Sequence, residues 1–268
     1  MTPPRGASAA VELTLLARVG DRTVSLRSDP IRYPHIPAVT VLSPARVKVV
    51  PIAIRTGGKR LGYIPGAGDE VAESLRQVGY DVTLLDDAAL ATGDLDGFAA
   101  IVAGIRAYNV NERLGTFHDR LMHYVEHGGT YVVQYVTSTA RMPYVGGPIG
   151  PYPFAIDADR VTDETAVMTP VDPKSRILAA PNALAPADQD GWVQERGLYF
   201  AKTWDPRYQP LFAAHDADEA PLLGGTIVAH HGKGAFVYTG LAFFRQLPAG
   251  VTGAYRLLAN LLATKSAR

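Results

Sequence analysis

AAIVAGIRAYNVNERLGTFHDRLMHYVEHGGTYVVQYVT, residues 99–137, is the stretch whose reading decides the fold. Ala100–Gly104 reads as a short apolar strand and Ile105–Asn109 as a polar loop. Leu114, Phe117, Leu121 and Val125 recur at helical spacing, so a helix is expected from about Asn111 to His127. Asn109 followed by Glu112 resembles a capping box, and Gly128-Gly129 supplies the C-terminal stop. A second strand, Thr130–Tyr135, follows. Two apolar runs flanking an amphipathic helix make a βαβ unit, the crossover that parallel strands require. Ligands of open parallel sheets bind beyond the carboxyl ends of the strands. That places the candidate site in the loops Ile105–Asn109 and Val136–Arg141.

The pattern extends on both sides. Val47–Ile54 is apolar and contains Pro51, and Arg60–Ile64 is a further strand. Asp69 opens a helix through Val78 that turns Val71, Leu75 and Val78 inward, with Gly79 ending it. Asp81–Leu85 is the next strand, and Asp86–Leu90 a short helix. The order βαβαβαβ predicts an α/β fold, a flavodoxin-like, doubly wound, mostly parallel sheet over 47–268. Gly225–His230 and Gly234–Thr239 read as a hairpin turning at His231-Gly232-Lys233, and a closing helix runs from Val251 to about Thr264. Residues 1–46 form a separate short β segment. Residues 1–10 read as disordered, and Val11–Leu16 pairs with Thr23–Leu26 about Gly20-Asp21. A lone hairpin is marginal in water, so the segment reads as the tail of an upstream β-sandwich.

Composition excludes several functions. The 268 residues carry 26 basic and 26 acidic side chains and no cysteine. Disulfides, thiolate metal sites and cysteine nucleophiles are therefore out. No dense Lys/Arg cluster exists, so neither nucleic acid nor an anionic membrane is an expected partner. No apolar run reaches spanning length, and the start lacks a signal-peptide pattern. The expected location is cytoplasmic, or exported as part of a longer protein.

Pro65-Gly66-Ala67-Gly68-Asp69 sits where phosphate loops occur, yet it fits no phosphate-loop pattern and Asp69 would repel an anion, which favours a plain cap. Ser138 and the neighbouring threonines lack a Gly-x-Ser-x-Gly setting. His123 and His127 have i,i+4 spacing beside Glu126, but an exposed helix face accounts for them more simply than a metal. No cofactor or metal is expected. Between Ala140 and Pro221 regular periodicity is lost, and an insertion of this length is more often functional than idle. Within it, Trp192, Tyr199, Trp204 and Tyr208 alternate with Asp190, Gln194, Glu195, Arg196, Asp205 and Arg207. Aromatic faces with bidentate polar groups suit sugars, although a loop tied down by its own bonds would read the same way.

Gly104–Asn109, Gly150-Pro151-Tyr152-Pro153-Phe154, Asp190–Phe200 and Tyr238–Gly250 together resemble one bacterial family. It is the C-terminal, class I glutamine-amidotransferase-like (ThuA-like) region of LmbE/PIG-L-type N-acetylglucosaminyl deacetylase homologues, matched from about Ile31 to Leu262. The resemblance implies a preceding sandwich ending at Val11–Val47 and a deacetylase domain as partner. In catalytic amidotransferases a Cys occupies the turn that here reads Gln134-Tyr135-Val136-Thr137. Their His-x-Glu pair falls where Leu241-Ala242-Phe243-Phe244-Arg245 stands, so glutaminase chemistry is not expected. ThuA-like proteins and the trimerisation domain of some β-galactosidases share that fold without the triad. The expected function is a non-catalytic domain binding carbohydrate or a partner domain. Its cleft would be lined by Arg106, Tyr108, Asn109, Gln134, Tyr135 and Arg245, with Asp190, Trp192, Gln194, Glu195 and Arg196 closing over it. The alternatives are a hydrolase using Glu195 or Asp190 as acid/base, and a homo-oligomerising assembly module.

Overall fold

The computed structural model describes residues 9–138, 144 and 147–265, which fall into two compact units, up to Ala53 and from Ile54 onward. Residues 1–8, expected to be disordered, and Arg141 of the second candidate loop lie outside the described residues.

The first unit consists of three antiparallel pairs. Ala17–Val19 pairs with Arg22–Val24 across Gly20-Asp21, and Leu26–Ile31 pairs with Val39–Pro44. Val11–Thr14 pairs with Arg46–Val49, not with Thr23–Leu26 as expected. The strand expected over Val47–Ile54 therefore ends at Val49 and belongs to this unit. Pro51, which has no N–H to give a ladder, stands just beyond its end.

The second unit is a mixed α/β structure around one seven-stranded, mostly parallel sheet. In chain order it comprises β1 (Arg60–Ile64), α1 (Val71–Gln77), β2 (Asp81–Leu84), α2 (Asp87–Thr92) and β3 (Ala100–Ala103). After these come α3 (Ala107–Val110), α4 (His118–Glu126) and β4 (Thr130–Gln134). The later elements are α5 (Arg176–Ala179), β5 (Tyr208–Pro210), β6 (Thr226–His231), β7 (Gly234–Thr239), α6 (Phe243–Gln246) and α7 (Thr252–Leu262). Strand order across the sheet is β5-β6-β7-β4-β3-β1-β2. From β7 through β2 all neighbours are parallel, and β6 and β5 add an antiparallel edge. Tyr131, the second residue of β4, stands between Ile101 and Phe236. Strands covered on both faces read as continuous apolar runs, which is why Ala100–Ala103 and Ala235–Tyr238 are wholly buried.

Where Ile105–Asn109 was expected as a polar loop, α3 forms over Ala107–Val110, and the helix expected from Asn111 to His127 is instead a 3-10 turn at Leu114–Phe117 followed by α4. Asn111 Oδ1 accepts from Arg113 N at 3.0 Å, a local turn that competes with helix. The anticipated capping box does not form, because Asn109 bonds elsewhere and α4 starts at His118, after Phe117, with no side-chain cap. Leu114, Phe117, Leu121 and Val125 are nevertheless all buried, so the spacing identified the inward face. Gly128, at φ +113°, ends the element as expected. The insertion holds three short antiparallel pairs: Phe154–Ile156 with Ala201–Trp204, Arg160–Val161 with Gly197–Leu198, and Thr169–Pro170 with Phe212–Ala213. Among the described residues no helix is long and apolar enough to cross a membrane.

Candidate functional site

The chain leaves β1 for the outer strand β2 and returns to β3, so the sheet changes direction between β1 and β3. The crevice at that point is closed by the chain's own carboxylate. Asp69 accepts hydrogen bonds from the Tyr63 hydroxyl (2.7 Å), Val71 N (3.0 Å) and Ile105 N (3.1 Å). Gly66 lets the two loops touch, since a Cβ there would lie 2.0 Å from the Ile105 carbonyl oxygen. Burial first, then the charge of Asp69, raises the Tyr63 pKa, which keeps that hydroxyl a donor. Asp69 takes up the donors that an anion in this loop would need.

The open polar groups converge one strand further along, beyond β3, β4 and β7. Arg106 follows β3 with φ +56°, and Tyr135 follows β4 with φ +48°. Tyr135 N still donates to Thr239 O at 2.8 Å, so the ladder continues into a left-handed turn that lifts the ring over the strand ends. Its hydroxyl donates to Glu195 Oε1 at 3.2 Å, and Arg245 Nε donates to the same oxygen at 3.1 Å. Tyr199 and Phe244 pack edge-on against the Tyr135 ring, with centroids at 5.3 and 5.0 Å. The Arg106 guanidinium lies 5.9 Å from the centre of that ring, and its Nε is buried without a hydrogen-bond partner. Burial, then the neighbouring Glu195 carboxylate, raises the Tyr135 pKa and keeps its hydroxyl protonated.

Backbone strain is concentrated in this cluster. Five non-glycine residues among those described have positive φ, namely Arg106, Tyr135, Gln194, Tyr199 and Asp218. The first four lie in or beside the cluster. Each such residue costs roughly 1–2 kcal/mol, and strain of this kind collects where geometry serves binding or catalysis.

The other residues singled out in the sequence fall into two groups. Asn109 clasps the β4 exit, donating from Nδ2 to Thr137 O and accepting from Thr137 N, both at 2.9 Å. Gln194 is exposed beside Glu195, and Asp190 is exposed on the same segment. Tyr108, Gln134, Trp192 and Arg196 are interior instead. Tyr108 bonds the Tyr131 hydroxyl at 2.9 Å, and Gln134 is buried in the end of β4. Arg196 is 2% exposed, donating to Ala166 O (2.8 Å) and Gln189 O (2.7 Å) with Trp192 under its guanidinium at 5.1 Å. The polar–aromatic density around Asp190 was thus partly the reading of a loop tied down by its own bonds. Tyr199 and Phe244 escaped the list of site residues although both lie in the quoted motifs. Gln246 was missed as well; its amide holds Val193 N (2.8 Å) and Val193 O (3.0 Å), fixing the turn that presents Glu195.

Beside the cluster, a cleft of about 560 Å³ opens between Ser138 at the β4 exit, His118, Tyr144, Tyr152 and Phe154. Arg207 stacks on Tyr152 at 3.5 Å and bonds Asp205 through two nitrogens at 2.8 Å each, which holds Asp205 down at about 2. His123, Glu126 and His127 are exposed on α4, with ligand atoms within 4.8 Å of one another.

No protein-family model and no curated protein matches the chain. Among solved structures, a β-galactosidase of Rahnella sp. R3 aligns at 16% identity and TM-score 0.44, over 75% of this chain and 31% of that one. A β-galactosidase of Halorubrum lacusprofundi aligns at 16% identity and TM-score 0.43, over 77% of this chain and 30% of that one. A cytoplasmic protein of Salmonella typhimurium LT2 aligns at 13% identity and TM-score 0.43, over 95% of both. The chain therefore spans under a third of the length of these β-galactosidases.

Proposed function

We propose that the second unit is a non-catalytic, flavodoxin-like domain of the class I amidotransferase-like type, which binds an amino sugar at the ends of β3, β4 and β7 in the service of a sugar deacetylase. The strand sequence β2-β1-β3-β4, with its change of direction between β1 and β3, supports the fold assignment. The deacetylase association is supported by the motif resemblance. The observation that carries the binding reading is the strained cluster itself. Tyr135 stands in a left-handed turn at the position where a nucleophile would be expected, and its hydroxyl is committed to Glu195. Both bonds to Glu195 end on Oε1, which leaves Oε2, the Arg106 guanidinium and the outer nitrogens of Arg245 for ligand. A carboxylate paired with the Arg245 guanidinium, with the Arg106 guanidinium against the same Tyr135 ring and Tyr199 and Phe244 as apolar walls, suits an ammonium and hydroxyls on one small ring.

Calorimetric titration of the chain with glucosamine and N-acetylglucosamine tests this. Millimolar or tighter binding that Glu195→Gln and Arg106→Ala each weaken about tenfold is expected. Absence of heat at millimolar sugar overturns it.

A specific observation also favours an assembly role for the first unit. No described residue before Ile54 is buried, and Leu16 and Val19 are 68% and 69% exposed. Apolar strands this open are covered in working proteins, and further β-sandwich structure is the cover we propose.

A further inference from the structure

A second built cavity lies at the other end of the sheet. His230 pairs with Ala235, and Ala235 with Thr130, so His230 marks the end where the parallel strands begin. There a cleft of about 750 Å³ separates the edge strands β5 and β6 from the last turn of α7 and from the segment 171–181. This volume is within the usual range of small-molecule sites. Ile177, Pro181, Leu211 and Val228 supply apolar walls.

The cleft is preformed because a buried amide pair fixes one wall. Asn260 Oδ1 accepts from Asn182 N (2.9 Å) and Asn182 Nδ2 (3.0 Å). Asn260 Nδ2 donates to Ile177 O (2.6 Å) and Asn182 O (2.7 Å). Asn182 and Asn260 are 5% and 1% exposed, so releasing that wall would strand several polar groups away from water. The segment from Ile177 to Asn182 is thereby pinned against α7 and cannot collapse into the opening.

Charge at the opening is one-sided. Lys174, Arg176 and Lys265 line it, against the single carboxylate of Asp172, in a chain whose net charge is zero. Asp172 turns an oxygen to Lys174 N at 2.9 Å, not to a side-chain cation. Among the described residues, the three cationic heads take part in no ion pair, whereas other cations of the unit, such as Arg160, Lys202, Arg207 and Arg256, do.

We propose that this cleft binds a small organic anion, a phosphate or carboxylate carried on an apolar body. The body lies on Leu211 and Val228, and the anionic group meets Lys174, Arg176 and Lys265. Screening by salt weakens such an interaction when the charges are partly solvated.

Calorimetric titrations of the full chain with phenyl phosphate, benzoate, inorganic phosphate and benzyl alcohol test the assignment. Phenyl phosphate or benzoate is expected to bind at least tenfold tighter than inorganic phosphate or benzyl alcohol, and less tightly at high salt. A preference between the first two identifies the anionic group. The double variant Lys174→Ala/Arg176→Ala is expected to lose at least tenfold in affinity with an unchanged unfolding midpoint. Arg176→Lys alone is expected to stay near the parent, since the charge is kept. Equal affinity in the double variant overturns the proposal, as does benzyl alcohol binding as well as phenyl phosphate, or no heat with any of the four.

Discussion

Arg196→Ala separates a ligand-binding arginine from a structural one. The guanidinium is buried, bridges Ala166 O and Gln189 O at 2.8 and 2.7 Å, and lies over Trp192. Removing it orphans two carbonyls, at about 1.5–3 kcal/mol for each charge-assisted bond. Against that loss stands the relief of burying a cation, a burial that lowers the Arg196 pKa. The net expectation is destabilisation by about 3 kcal/mol. With a urea slope of about 2–3 kcal/mol per molar, the unfolding midpoint falls by roughly 1–1.5 M. Urea titration followed by tryptophan fluorescence and by circular dichroism measures it. Sugar affinity of the folded fraction should be unchanged, because Arg196 faces away from Glu195 and into the insertion. A midpoint within about 0.3 M of the parent (about 0.6–0.9 kcal/mol on the same slope), together with lost sugar binding, would refute the reasoning and make Arg196 a ligand contact.

Other perturbations follow from the same geometry. Gln194→Gly relieves a positive φ at an exposed residue and should stabilise by about 0.5–1 kcal/mol, the strain of roughly 1–2 kcal/mol less the extra chain entropy of glycine; a lower urea midpoint would count against strain there. Asn109→Ala removes both bonds to Thr137 and should cost about 1–2 kcal/mol, weakening sugar binding with it because the β4 exit loosens. Acid should act in two stages. Burial lowers the His118 pKa, so the unfolded chain takes up the proton first and stability declines as pH falls below the ordinary value of about 6.5. Asp205, held at about 2 by Arg207, stabilises the fold above the ordinary value of 3.8, and that contribution is lost as pH falls from there toward 2. Thermal melts across pH should show both stages in the parent and a smaller lower stage in Asp205→Asn, because hydrogen bonds from Thr165 hold Asp163 low and, against its burial, bonds from Asp163 and Thr162 hold Asp216 low as well.

Much of the sheet was readable because buried parallel strands are short unbroken apolar runs and the helices between them end at glycines. Gly79 and Gly128 both stop helices with positive φ, as their positions in the sequence suggested. The turn at Asn111, which delays helical structure to Leu114, was not readable, because an Asx turn and a helix start use the same residue type. Only the three-dimensional pairing shows that Asn109 serves Thr137 and not the helix. The site region was legible to the level of its loops. Glu195 and Arg196 are adjacent and equally polar, yet one sits at the strand ends and the other is interior. Which neighbour points inward depends on the short pairing of Arg160–Val161 with Gly197–Leu198, and two-residue strands carry no periodic signal. Positive φ at Arg106 and Tyr135 likewise has no sequence signature, since both residue types normally avoid it.

The most direct test of the binding account is amide chemical-shift mapping of the isotopically labelled chain during titration with glucosamine. The account predicts saturable shifts at Arg106, Tyr135, Gln194, Glu195 and Arg245, with no turnover of the sugar in the same samples. Shifts confined to the cleft at Lys174 and Asn260, no shifts at millimolar sugar, or conversion of the sugar to a new species would contradict it.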